Sequence, residues 1–162
     1  TTAGRQLQVS SNPGVDNITI TPTDITAAWA AATVYPLGQR VKKVSGDGFI
    51  YKVTTAGTSH ATTEPVWSGM GGIGSTIVDN TVTWTKFSAK HETTEIKLAL
   101  TSGGLAGATP GAALNVATTI PSGYANAIPI YIRITNAVVN VDNDTSYEEL
   151  ALYINSVTET VA

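Results

Sequence analysis

The stretch "IPIYIRITN", Ile128 to Asn136, places isoleucine at every second position, with Tyr131 and Arg133 between. Side chains repeat every two residues only along a β-strand, so this pattern excludes a helix and predicts a strand with one apolar face. The same alternation recurs. Ile96, Leu98 and Leu100 form one set and Leu150, Leu152 and Ile154 another. Ile18 with Ile20, Leu7 with Val9, and Leu114 with Val116 form shorter ones. One oily face and one wet face is the signature of antiparallel, half-buried strands. Turn residues separate the runs at Ser11–Gly14, Thr101–Gly104, Thr109–Ala112, Pro121–Gly123 and Asp142–Asp144.

No long segment carries the 3.6-residue helical period. "DITAAWAAA", Asp24 to Ala32, is the best short candidate, one or two turns capped by Asp24. The expected class is therefore all-β: an antiparallel β-sandwich, immunoglobulin-like or jelly-roll, with a small aromatic-rich β module inserted. The module is expected over residues 25–88, because that stretch holds all three tryptophans, both phenylalanines and the one methionine. Two short N-terminal strands cannot bury their faces alone. Residues 1–24 are thus expected to pair with a sandwich formed by residues 89–162.

Composition restricts the function. Apolar residues make up 42% of the chain and charged residues only 13%, against about 25% in typical soluble domains. Thr, Ser, Asn and Gly must cover the surface, which suits a protein held in an assembly. Net charge is −3, and the densest basic cluster is Arg40, Lys42 and Lys43. A nucleic-acid partner needs a basic stripe, and a membrane-spanning helix needs about 20 apolar residues; the chain offers neither. With no cysteine, disulfides, zinc thiolates and thiol nucleophiles are excluded. No signal peptide is visible at Thr1, and a start at Thr fits removal of an initiator Met.

Catalytic constellations are missing. His60 and His91 lie far apart in polar stretches. Ser59-His60 lacks an acid partner and a nucleophile-elbow context. "DNDTSYEE", Asp142 to Glu149, has Tyr147 where a calcium loop needs Gly, so it reads as an acidic turn. "GMGGIG", Gly69 to Gly74, lacks a surrounding βαβ unit and reads as an exposed excursion rather than a phosphate cradle. No catalytic residue, metal ligand or cofactor is expected.

The order of features across the middle of the chain is distinctive. Trp29 is followed by Tyr35, Gly38 and Val41, a "GDG" turn at Gly46–Gly48, Tyr51, "AGTS", Glu64-Pro65, Trp67 and finally "VDNTVTW" ending at Trp84. This series resembles the chitin-binding type modules of carbohydrate-binding families 5 and 12, in the variant carried by tailed-bacteriophage structural proteins. It covers Trp29 to Trp84. The second half, with "IYIRITN" and "LYI", resembles more loosely the β domains of phage virion proteins.

These resemblances imply a non-enzymatic virion protein: a capsid decoration, or cement, protein that binds the assembled lattice and stabilises it. Its expected partners are the major capsid protein and neighbouring copies of itself, with a homotrimer suiting capsid three-fold positions. The alternative is a carbohydrate-binding adhesin of the tail or baseplate that contacts host-surface glycans. On that analogy Trp67, Tyr35 and Trp29 would be sugar platforms and Glu64 an acceptor for sugar hydroxyls. A sugar's apolar C–H face matches an aromatic ring, but a module this small also needs large rings as its core. Trp84 and Tyr51, on alternating strands, are expected in the core. Trp67, ahead of the glycine run, is the candidate for an exposed ring.

Overall fold

A computed structural model of the chain describes residues 4–137 and 147–161. All of its regular structure is strand or short 3-10 turn. β1 (Arg5–Val9) and β2 (Ile18–Asp24) lead the chain. Next come β3 (Val34–Tyr35), β4 (Arg40–Val41), β5 (Phe49–Thr55), β6 (Gly57–Thr58), β7 (Thr76–Asp79) and β8 (Val82–Ala89). β9 (Ile96–Ala99), β10 (Leu114–Ala117), β11 (Thr119–Pro121), β12 (Tyr131–Ile134), β13 (Leu150–Ile154) and β14 (Val157–Val161) complete the set. Every pairing between these strands is antiparallel, as the alternating faces predict, and one isolated bridge, Ala28 to Lys42, is parallel. Among the described residues no helix is long and apolar enough to cross a membrane.

The chain divides into two compact units. One comprises Thr1–Asp24, Glu92–Asn136 and Leu150–Ala162; the other comprises Ile25–His91 and Ala137–Glu149. The first has two three-stranded sheets, β11-β1-β14 and β10-β2-β13, and the pair β12-β9. In both larger sheets the central strand comes from the N-terminus and its neighbours from the C-terminal half. Apolar side chains of the two sheets, Leu7, Ile120 and Val157 from one and Ile18, Ile20, Val116 and Ile154 from the other, line a common cleft. Few side chains here are fully covered: Val9, Ile18, Ile96, Leu98 and Ala99 are the buried apolar ones.

The second unit is built on the sheet β4-β5-β8-β7 and the short pair β3-β6. β7 and β8 meet through a two-residue turn in which Asn80 takes φ 56°, a left-handed conformation that Asn tolerates well. Register shifts in the β5-β8 ladder at Ile50/Tyr51 and Val53/Thr55 bend this small sheet around its aromatic side chains.

The helix expected from Asp24 to Ala32 does not form. Asp24 ends β2, and Ala28 then forms an isolated bridge with Lys42, just past β4: the Trp29 N–H donates to Lys42 O at 2.9 Å and the Lys42 N–H to Ala27 O at 2.8 Å. Those tertiary bonds, with Trp29 and Thr26 buried, outweigh an alanine-rich propensity worth only tenths of a kcal/mol per residue. The acidic run expected to form a turn at Asp142–Glu149 lies outside the described residues up to Ser146.

Candidate functional site

The rings marked out by the sequence do come together, but inward. Trp29, Tyr35, Val41, Tyr51, Val53, Trp67, Val82 and Trp84 form one buried cluster, with Phe49, Met70 and Ile77 packed against it. Strand alternation explains this on β8, where Val82 and Trp84 share the covered face. Trp67 stacks on Tyr51 with centroids 4.0 Å apart and packs edge-on to Trp84 at 5.9 Å; Tyr35 meets Trp84 edge-on at 4.7 Å. Such pairs contribute roughly 0.5–1.5 kcal/mol each beyond the area they bury.

Polar tips are satisfied inside the unit. One Asp79 carboxylate accepts from the Trp29 indole N–H at 2.8 Å, the Trp84 indole N–H at 3.3 Å and the His60 backbone N–H at 2.8 Å. Asp79 is itself buried, so this one anion fixes two indoles and the start of the following loop. The Tyr35 hydroxyl accepts from Ala30 N–H at 2.7 Å. Burial pushes its pKa above the ordinary value, assisted by the nearby Asp79 charge. Tyr51 is raised further, first by burial and then by its 2.6 Å hydrogen bond to Asp47 Oδ2.

Trp67 therefore corrects the expectation of an exposed ring. It is 1% exposed, Tyr35 2% and Trp29 7%. A ring covered on both faces has none left for a pyranose. Glu64 is half-buried, and its Oε1 already accepts from Trp67 Nε1 and from Val44 N–H, both at 2.8 Å. In the small unit, core demand takes the rings. The glycine run that follows is exposed, yet Met70 in its midst packs on the aromatic cluster, and Gly74 N–H donates to Lys86 O at 2.8 Å.

Among the described residues there is no group of three or more His, Asp or Glu side chains placed to hold an ion. His60 Nδ1 accepts from the Thr62 and Thr63 backbone N–H groups, at 3.3 and 3.1 Å, and so closes its own turn.

The more unusual surface is in the other unit. Its shared cleft, of about 180 Å³, is lined among the described residues by Leu7, Ile18, Ile20, Val116, Ile120, Ile128, Ile130, Ile154 and Val157, all nine aliphatic. Beyond it Ile132 and Ile134 stand 46% and 72% exposed, and Leu152, Tyr153 and Val161 are also exposed. Monomers rarely leave aliphatic rows of this kind open to water. Alternation in the sequence announces these strands and their oily faces. Whether a face is covered depends on pairing between distant segments, which alternation does not carry.

Comparisons of the chain with protein-family models, with curated proteins and with solved structures give no match.

Proposed function

We propose that this chain is a non-enzymatic structural protein of a phage virion, a capsid decoration protein that binds the assembled lattice and holds it together. The sequence resemblance supplies the phage setting. The observation that carries the binding role is the open aliphatic cleft with the exposed strand faces around it. A surface of this chemistry gains most by being covered by another protein, since apolar burial drives association without requiring charge. Few charged residues and many Thr, Ser and Asn fit a protein that sits among neighbours rather than free in solution.

Decoration of this kind works by mass action. A protein that binds the lattice and not the free subunit stabilises the lattice in proportion to its occupancy. The adhesin alternative would need another surface, because its candidate rings, Trp67, Tyr35 and Trp29, are buried.

Copy number in purified particles tests the reading. Quantitative mass spectrometry is expected to find hundreds of copies per virion, and particles lacking the protein are expected to release their genome at lower temperature. A handful of copies would place the protein in the tail, and absence from particles would overturn both virion readings.

A further inference from the structure

β12 is the place where the apolar interior of its unit stops short. Its partner β9 buries Ile96 and Leu98, 6% and 5% exposed. The register sets Ile134 opposite Ile96 and Ile132 opposite Leu98, hence on the same face. On β12 that face is 72% and 46% exposed. Among the described residues β12 has no strand on its other edge. Its row of isoleucines leads back through Ile130 and Ile128, which line the cleft.

The hydrogen-bond phase shows which backbone groups that edge presents. Thr135 N–H donates to Glu95 O at 2.8 Å, one step beyond the pair Ile134 and Ile96. Bonded and non-bonded pairs alternate along an antiparallel ladder. Arg133 and Tyr131 therefore bond to β9, while Ile132 and Ile134 direct their N–H and C=O groups outward. Ile96 O agrees: it accepts from Gly111 N–H at 2.8 Å, on the side away from β12.

We infer that the occupant of this edge is β12 of a second copy, antiparallel about a two-fold axis at Ile132. In that register Ile132 faces its own counterpart and Ile130 faces Ile134 of the other copy. The residues opposed across the new pair are those whose backbone groups point outward, so the ladder closes without rearrangement. Six isoleucines then continue the apolar face of both copies. On the opposite face Tyr131 meets Arg133 of the other copy, a ring beside a guanidinium. Centring the axis one residue later would set Arg133 against Arg133, like charges at the closest cross-strand spacing. Charge thus disfavours that second register, and only an axis at Ile132 pairs all three isoleucines Ile130, Ile132 and Ile134 with one another. The pairing rests on the proposed assembly role, and it joins the apolar faces of two copies edge to edge without covering them.

Single-cysteine variants of the full chain test the register, because the chain has no cysteine of its own. A residue facing itself in a bonded pair has its Cα about 5.5 Å from its counterpart, within disulfide reach. Under diamide, Ile132→Cys is expected to cross-link to twice the 16.8 kDa chain mass. Ile134→Cys alone is expected to stay uncross-linked, but to form a mixed dimer with Ile130→Cys. Ile132→Pro removes an N–H that does not serve β9, and is expected to convert the dimer seen by sedimentation equilibrium to monomer. Failure of Ile132→Cys to cross-link, equal cross-linking of Ile134→Cys alone, or a dimer that survives Ile132→Pro overturns the pairing. Dimers of a protein absent from virions would leave the pairing standing and overturn the assembly role; monomers present at hundreds of copies would do the reverse.

Discussion

Trp67 shows how one residue's environment decides between two readings of the same sequence. Its indole is covered by Tyr51 and Trp84 and its N–H is held by Glu64. Trp67→Ala is expected to lower unfolding stability by about 3–5 kcal/mol, as buried Trp truncations do. A surface platform would lose under about 0.5 kcal/mol. Urea denaturation separates the two outcomes. Tyr51 carries a pH signature. Its pKa is raised in the folded chain, so above about pH 10 the unfolded state has released a proton that the folded state still holds. The folded state then binds more protons, and stability falls as pH rises. Tyr51→Phe is expected to cost about 1 kcal/mol at neutral pH, from the lost Asp47 bond. It should also flatten the alkaline decline, leaving the smaller share from Tyr35, which shifts in the same direction. Denaturation midpoints between about pH 8 and 11 read both effects. The sequence placed these aromatics in one module and put Trp84 and Tyr51 in the core. It put Trp67 forward as the exposed ring, because Trp is amphipathic and the contacts that bury it come from strands more than a dozen residues away.

At the scale of elements, alternation located β1, β2, β9, β10, β12 and β13. The very short strands β3, β4 and β6 carry too few residues for a period and were not legible. Their position is set by contact. β6 lies so close to the β7-β8 turn that a Cβ on Gly57 would come within 2.3 Å of Thr81 O and 2.6 Å of Val82 N, both backbone atoms that cannot swing aside. Gly57→Ala is therefore expected to cost at least about 2 kcal/mol, in the upper range for overpacking. Gly72→Ala meets nothing within 4 Å and is expected to be neutral. Thermal midpoints of the pair make the comparison. Alanines mislead in the opposite way at Ile25–Ala32. Local composition favours a turn of helix there, but backbone bonds to Lys42 and the burial of Trp29 hold Ala27–Trp29 out of it, and the chain then turns at Ala31–Ala32 with Ala32 at φ 49°.

For the whole molecule, the two units differ in how much of their cohesion is internal. Ile25–His91 closes a core of eight covered side chains on itself, whereas the other unit surrounds an aliphatic cleft and, among the described residues, gives β12 a partner strand on one edge only. Local opening follows such differences, so hydrogen exchange reads them directly. Amides of the β5-β8 ladder are expected to be the slowest to exchange. In dilute protein neighbouring amides on β12 should diverge: Arg133 N–H, directed at β9, protected, and Ile132 N–H, directed outward, close to the unprotected rate. Raising the concentration is expected to slow Ile132 and Ile134 by about tenfold or more while Arg133 changes little, because pairing covers only the outward groups. Equal protection of Ile132 and Arg133 at low concentration would mean that the outer edge of β12 is already satisfied within one chain. Parallel slowing of every amide in the unit would point instead to a global gain in stability, with no strand edge involved. Only the alternating pattern, concentration-dependent and confined to even-numbered positions of β12, fits a second copy seated on this edge.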